Sequence, residues 1–308
     1  VEQVQQETES SQLKRTLGPW NLVFLGIGCI IGAGIFVRTG NAAALHAGPA
    51  VLLSFLIAGV VCALAGLCYA ELSSALPVSG SAYTYSYTTI GEFAAWVMGA
   101  LLLLEYGLAA SVVAVGWSGY VVSLLGDFGL VIPVELTGPT GHAIMKDGVA
   151  TGASYLFNLP AFGICIALTA LLVIGVSESA KVNNVIVAVK LAVIIAFILI
   201  VGWYVIQHLD TLKANWDPFI PAPTGEEGKF GWDGIFRAAS IVFFAYIGFE
   251  AVSTAGQEAK NPKKDMPFGI IGSLAICTIL YILVSIVMTL VVNYKMLNVP
   301  DPVAVAVD

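Results

Sequence analysis

Three charged side chains lie in stretches of sequence that are otherwise apolar. Lys190 lies within residues 186–199, which carry no other charge. Glu105 follows four consecutive leucines, and Glu250 lies eight residues after Val242 in an aromatic segment. A lysine at the centre of a membrane helix costs about 2.5–3.5 kcal/mol on insertion scales. Because such residues usually face the protein interior and have a function, these three are the first candidates for chemistry.

Each of the three charges has more than one interpretation. We interpret Lys190 as a group that loads and releases a proton, although it lies close enough to a span end for its amine to reach the membrane surface. Glu105 needs a partner, for which Lys190 or a cationic ligand is available; a structural ion pair or a protonated acid is an equal alternative. Glu250 is expected to neutralise a helix end or to gate a pathway.

A glycine-rich apolar stretch, residues 26–36, carries four glycines. Each glycine weakens a helix by roughly 1 kcal/mol relative to alanine, so we expect a broken membrane helix here. The N–H groups at the start of the second half-helix carry a partial positive charge and suit a carboxylate. The alternative is helix packing, since Gly28 and Gly32 are four residues apart. The candidate donors are Ile31, Gly32, Ala33 and Gly34.

A second interrupted segment, residues 243–250, places Gly248 and Glu250 in the middle of another span. Backbone carbonyls freed by this break would form the negative end of a half-helix and bind an ammonium group. The alternative is a helix kinked around Gly248. Two adjacent breaks could together hold a zwitterion. The candidate carbonyls belong to Phe244, Ala245 and Ile247.

The composition indicates an integral membrane protein. Of the 308 residues, 58% are hydrophobic and 11% charged, whereas soluble domains carry about 25% charged residues. The net charge of −7 argues against nucleic acid as a partner. The five cysteines and three histidines show no metal-ligand spacing, and no nucleophile–base pair stands out. We therefore expect no metal, no cofactor and no enzymatic activity.

Apolar runs predict about seven membrane spans joined by polar loops. Two irregular spans lie five spans apart, which is typical of inverted-repeat transporters and argues against a heptahelical receptor. Residues 18–206 would form the first repeat and residues 234–308 the start of a second one. The distribution of lysine and arginine favours a cytoplasmic tail at residues 1–17 and an extracellular loop at residues 207–233. The predicted spans are residues 20–45, 50–75, 92–125, 157–176, 185–206, 234–256 and 268–292.

Five segments carry a resemblance to a known family. The chain resembles the amino acid–polyamine–organocation (APC) superfamily, nearest to bacterial members of its cationic amino acid transporter family. The matching motifs occur in order along nearly the whole chain, in residues 26–36, 77–85, 104–108, 243–250 and 258–267.

The resemblance implies an all-α, leucine-transporter-type fold with two inverted repeats, in the bacterial plasma membrane. It implies alternating access and uptake or exchange of L-amino acids, with cationic ones as one option. Lys190 matches a lysine that replaces a sodium ion in family members without sodium dependence, which suggests proton-coupled symport or proton-assisted exchange. The family has twelve to fourteen spans, so we expect a truncated chain. A non-transporting amino-acid sensor is the alternative, and a small membrane partner of unknown identity is left open.

The resemblance also carries over individual positions, with two departures from the pattern. Glu250 stands where relatives often have aspartate, and Ala33 replaces a hydroxyl residue that could bond a carboxylate. The implied amine-binding carbonyls are those of Phe244, Ala245 and Ile247. The implied carboxylate-binding residues are Ile30, Ile31, Gly32, Ala33 and Gly34.

Overall fold

The computed structural model describes residues 15–146, 149–174 and 176–307, and the side chains of residues 145–150 and 176–184 are outside this description. Most of the predicted polar tail, residues 1–14, also lies outside the described residues. The longer helices are α1 (Pro19–Ile30), α2 (Val51–Ala75), α3 (Ser81–Thr89), α4 (Glu92–Asp127), α5 (Leu159–Ile174), α6 (Val176–Gln207), α7 (Gly231–Val242) and α8 (Pro262–Val291).

The predicted span 1 consists of two helical segments. Helix α1 has Pro19 in its first turn, where the missing N–H costs no hydrogen bond, and it ends at Ile30. Ile31 is extended (φ −71°, ψ 108°), and helical backbone resumes at Gly34. We call residues 31–33 the first break. Beyond it the backbone forms a wide π-helical turn, an α-turn and another π-turn: Gly34–Arg38, Thr39–Ala42 and Ala43–Ala47.

The predicted span 6 is also divided. Helix α7 tightens into a 3₁₀ turn over Phe243–Tyr246, and a second 3₁₀ segment covers Phe249–Ala255. Gly248 lies between them with φ +106°, a left-handed conformation that side chains rarely adopt. We call residues 247–248 the second break. The glycine therefore permits the change of direction between the two segments.

The core is built from the two interrupted segments together with α2 and α8. Helix α8 packs against both α1 and α2, and α7 packs against α2. Tyr246, Tyr281 and Phe55 are fully buried where these elements meet. Helix α4, in contrast, has most of its surface exposed, with large apolar side chains such as Leu103 facing outward. An apolar outer surface suits a helix that contacts lipid.

Five helical stretches among the described residues are long and apolar enough to cross a membrane: Gly34–Ala75, Glu92–Asp127, Val185–Gln207, Gly231–Ala255 and Pro262–Val291. Helices α1 and α5 are shorter and also apolar. The number of membrane crossings and the division into repeats stay predictions.

The element boundaries differ from the predicted ones at three places. The loop predicted at residues 126–156 contains a two-stranded antiparallel hairpin, β1 (Ala143–Lys146) and β2 (Val149–Ser154). The backbone of α6 is helical through the connector predicted around Lys181. Helix α8 begins at Pro262, inside the charge-rich interval 257–267 that separates two predicted spans. There Pro262 fits the first helical position, and the Asp265 carboxylate accepts a hydrogen bond from the Asn261 N–H (2.9 Å).

Two sets of contacts join the chain segments at opposite ends of the interrupted helices. Before α1, Leu17 exchanges backbone hydrogen bonds with Glu258 and Lys260 (3.0 and 2.9 Å). Beyond the first break, the His46 carbonyl accepts a bond from the Phe230 N–H (2.7 Å), just before α7. The start of the first interrupted segment is thus bonded to the loop before α8, and its far end is bonded to the loop before α7.

Candidate functional site

The carbonyl end of α1 is bonded by a lysine from another helix. The Lys190 amine on α6 donates to the Gly28 carbonyl and to the Ile31 carbonyl, the latter at 2.8 Å. The Ile27 carbonyl accepts from the Ile31 N–H (3.0 Å). The last carbonyls of a helix lack intrahelical donors and carry its negative end. Lys190 therefore neutralises the end of α1 at the first break.

A tyrosine connects the two interrupted segments. The Tyr281 hydroxyl on α8 lies 2.9 Å from the Ala245 carbonyl oxygen and 3.2 Å from the Ile30 carbonyl oxygen. Ile30 ends α1, and Ala245 lies in the last turn before the second break. Because a carbonyl oxygen has two lone pairs, the amine-binding role predicted for Ala245 stays a prediction.

The backbone segments at and beside the two breaks also approach each other closely. A Cβ added to Gly34 would lie 2.3 Å from the Ala245 Cα, and one added to Gly248 would lie 2.8 Å from the Cys29 carbonyl oxygen. At Gly32 the nearest atom would be 3.9 Å away, on Val113. The closest approaches to another backbone therefore fall on Gly34 and Gly248. Of the two glycines named in the packing alternative, Gly28 does pack closely, since an added Cβ would lie 3.0 Å from the Val187 side chain on α6, whereas Gly32 does not.

The N–H end of the first break is open. Among the backbone hydrogen bonds outside the helices in the described residues, none starts from the N–H groups of Gly32, Ala33 or Gly34. A cavity of about 800 Å³ is lined by residues 31–33 and Lys190, with apolar walls from α4 and α6. Its described lining contains no residue of the second break and no carboxylate. The cavity thus exposes the predicted carboxylate-binding backbone but not the predicted amine-binding carbonyls.

Glu250 caps the second break. It is 5% exposed, and its carboxylate accepts from the Tyr106 hydroxyl (2.5 Å) and from the Gly248 N–H (3.2 Å). The carboxylate therefore satisfies the N–H end of this break, as a capping residue does at a helix N-terminus. The gating role predicted for Glu250 is untouched by these contacts and stays a prediction.

Glu105 is not paired with Lys190, contrary to one of our two interpretations. Among the described residues the ion pairs join Lys213 to Asp210 and Lys229 to Glu226. The Lys190 amine instead contacts the two carbonyls of α1. Because the freed carbonyls of α1 already supply negative partial charge, Lys190 needs no carboxylate partner.

Three contacts were not predicted from the sequence. Tyr106 and Tyr281 supply hydroxyls to the breaks, and the Arg38 guanidinium lies 5.8 Å from the centre of the Phe244 ring. Tyr106 directly follows Glu105, which the sequence does indicate as a candidate. Successive residues of a helix point in different directions, so it is Tyr106 and not Glu105 that contacts Glu250. Tyr281 carries no charge and lies in an apolar span, so nothing in its surroundings distinguishes it.

Residues 17–307 match the amino acid permease family. The chain belongs to this family. The fold is therefore that of an all-helical membrane transporter, in agreement with the APC resemblance. A search of the described residues finds no group of three or more metal-ligating side chains in this permease.

Three curated relatives of this permease differ in what their names say they transport. A methylthioribose transporter of Bacillus subtilis is 49% identical over 99% of the chain, and the branched-chain amino acid permease BcaP of the same species is 48% identical over 95%. A chloroplastic cationic amino acid transporter 9 of Arabidopsis thaliana is 39% identical over 97%. These names are those of transporters and permeases rather than of enzymes, as expected. The chain spans 61%, 58% and 49% of these relatives' lengths.

Proposed function

We propose that this permease is a secondary active transporter that binds an L-amino acid between its two breaks and moves it with protons by alternating access. The N–H groups of Gly32, Ala33 and Gly34 would bind the substrate carboxylate. The carbonyl of Ile247 would bind its amine together with the second lone pairs of Phe244 and Ala245, whose carbonyls also accept from the Ile247 N–H (3.3 Å) and the Tyr281 hydroxyl (2.9 Å). The observation that carries the proposal is the pair of adjacent breaks, one with an open N–H end and the other with its N–H end capped by Glu250.

Lys190 supports coupling to protons rather than to sodium. Its amine lies between the carbonyls of Gly28 and Ile31, a position in which a bound cation would find the same oxygen ligands. Gain or loss of a proton there changes the charge that holds the end of α1. Lys190 would therefore link the protonation state to the arrangement of the first break, with no metal ion required.

The described residues favour a neutral amino acid over a cationic one. A cationic side chain inside a membrane protein pairs with a carboxylate or with backbone carbonyls, and in the proposed site the carbonyls of the second break are assigned to the substrate's own amine. Glu250 is already bonded to Tyr106 and Gly248, and no carboxylate lines the cavity at the first break. The name of the branched-chain amino acid permease BcaP points the same way, whereas the name of the Arabidopsis transporter keeps a cationic substrate as the second candidate.

Uptake by the full-length protein in proteoliposomes tests the proposal. We expect labelled leucine to accumulate and arginine not to, with faster uptake under an inward proton gradient and no change when choline replaces sodium. Accumulation of arginine alone would favour the cationic candidate. Binding of leucine without accumulation would favour a membrane amino-acid sensor.

A lysine variant isolates the coupling step. Lys190→Ala should remove the stimulation by the proton gradient, whereas Lys264→Ala, in an exposed position at the start of α8, should behave as the wild type. Uptake that is independent of protons in the wild type and unchanged in Lys190→Ala would contradict the coupling role.

The proposal also places the protein in a bacterial plasma membrane with its N-terminus in the cytoplasm. Protease accessibility of the N-terminal tail in cells tests this orientation.

A further inference from the structure

Tyr281 is a fully buried residue of α8 with a fixed orientation. Its ring is 0% exposed and packs against Phe55 and Tyr246, with ring centroids 5.4 Å away in both cases. A ring held on both sides places its hydroxyl at one point. That point lies between the Ala245 and Ile30 carbonyl oxygens, at 2.9 and 3.2 Å.

The two carbonyls belong to helix ends of the same polarity. Helix α1 ends at Ile30, and the helical segment that contains Ala245 ends at Tyr246. Both ends carry the negative partial charge of a helix C-terminus, so the two ends repel each other where they meet. The Tyr281 hydroxyl is the one side-chain donor among the described residues that reaches either carbonyl. Its single hydrogen is therefore placed between two acceptors that would otherwise face each other.

We propose that Tyr281 is a positioning residue for the substrate: its hydroxyl sets the spacing between the two breaks. This inference rests on the proposed function, because the carboxylate-binding N–H groups follow Ile30 and the amine-binding carbonyls flank Ala245. A zwitterion that spans both groups is bound well only when their separation is correct. Loss of the hydroxyl leaves the ring packing in place and releases the constraint on the two backbones.

The chain offers a matched control in Tyr246. This tyrosine is also 0% exposed, and its hydroxyl also donates to a backbone carbonyl at 2.9 Å. The acceptor, however, is Phe55 on α2, away from both breaks. Tyr246→Phe and Tyr281→Phe therefore remove the same group from equally buried sites, and only the second removal affects the contact between α1 and the Phe243–Tyr246 turn.

The first measurement is transport by the full-length protein in proteoliposomes. Tyr281→Phe should raise the KM for leucine about tenfold, the effect of losing one buried hydrogen bond, with a small change in the maximal rate. Both variants should lower the melting temperature to a similar extent, but Tyr246→Phe should leave the KM for leucine unchanged. An unchanged KM in Tyr281→Phe, or an equal rise in both variants, would overturn the proposal.

The second measurement, hydrogen–deuterium exchange of the purified protein, does not depend on transport. Tyr281→Phe should speed amide exchange in peptides that cover residues 30–34 and 244–248, and Tyr246→Phe should not. Equal exchange at both breaks in the wild type and Tyr281→Phe would overturn the positioning role, whatever the transport result. If the wild type accumulates no amino acid, the proposed function fails while this comparison still decides the role of Tyr281.

Discussion

The first and second breaks are the same kind of element, an interrupted membrane helix, and the protein completes them at opposite ends. At the first break side chains bond the carbonyl end, since Lys190 and Tyr281 reach the last residues of α1. At the second break a side chain bonds the N–H end, where Glu250 accepts from Gly248. The N–H end of the first break has no such partner among the described residues. At the second break the carbonyls of Phe244 and Ala245 each accept one hydrogen bond, from the Ile247 N–H (3.3 Å) and the Tyr281 hydroxyl (2.9 Å), and keep a second lone pair.

This difference teaches what makes a broken helix selective. An interruption by itself frees both donors and acceptors, and so attracts ions of either sign. A cation bonded to the freed carbonyls leaves the N–H groups for an anionic ligand. A carboxylate bonded to the freed N–H groups leaves the carbonyls for a cationic ligand. Under the proposed function, the N–H groups after the first break and the remaining carbonyl lone pairs at the second, which approach each other at Gly34 and Ala245, would hold a ligand with both charges.

Gly34→Ala should have the largest effect of the variants that test this contact. The added methyl group would lie 2.3 Å from the Ala245 Cα, so one backbone has to move. Overpacking of a tight site costs about 1–3 kcal/mol and more when backbone blocks the group. We expect a clear loss of thermal stability of the detergent-solubilised full-length protein.

Gly32→Ala is the matched control for stability. It introduces the same methyl group two residues away, where the nearest atom is 3.9 Å distant. Its melting temperature should stay close to that of the wild type. Equal melting temperatures for the two variants would mean that the breaks are farther apart than the structure describes.

Glu250→Gln should have the second largest effect, because it removes the charge that caps the second break. This carboxylate accepts two hydrogen bonds, and a glutamine oxygen can still accept, so each bond weakens from about 1.5–3 to about 0.5–1.5 kcal/mol rather than being lost. Unfolding by denaturant should show a loss of about 2 kcal/mol for Glu250→Gln. Tyr106→Phe should cost less, because the bond from Gly248 remains.

Glu105→Gln provides the comparison with an acid that makes no ion pair in the described structure. Because an unpaired charge in an apolar span is unfavourable, Glu105→Gln should leave stability unchanged or raise it. A cost for Glu105→Gln equal to that for Glu250→Gln would mean that the effect at position 250 does not come from its bonds to Tyr106 and Gly248.

The parts of the site that follow from local chemistry could be predicted from the sequence. Four glycines in one apolar stretch identify residues 26–36 as a poor helix, and the structure ends α1 at Ile30. Lys190 is costly in an apolar span, so its need for polar partners could be inferred without knowing them. Gly248, two residues before Glu250 in an apolar span, likewise predicts the interruption of the second segment.

The missing parts depend on which side chains meet in three dimensions. A tyrosine hydroxyl in an apolar span has only a small cost, so Tyr281 gives no signal until its carbonyl partners are known. Glu105 attracted attention because charge is easily recognised, while the contact with Glu250 is made by its neighbour Tyr106. The start of α8 was placed too late because the charges of residues 263–265 indicated a loop, although Pro262 is acceptable in the first turn.

Among the variants that remove a contact between the two segments, Arg38→Gln should have the smallest effect. It tests whether side chains join the segments beside the two breaks as well as their backbones. The guanidinium lies 5.8 Å from the centre of the Phe244 ring, a cation–π distance that contributes about 0.5–1 kcal/mol at an exposed site. We expect a loss of stability of this size, with Arg38→Lys intermediate because a lysine keeps the charge without the planar group. Phe244→Leu should cancel the difference between arginine and glutamine at position 38. If that difference persists without the ring, Arg38 acts through another partner, and the Phe244 ring does not join the two breaks.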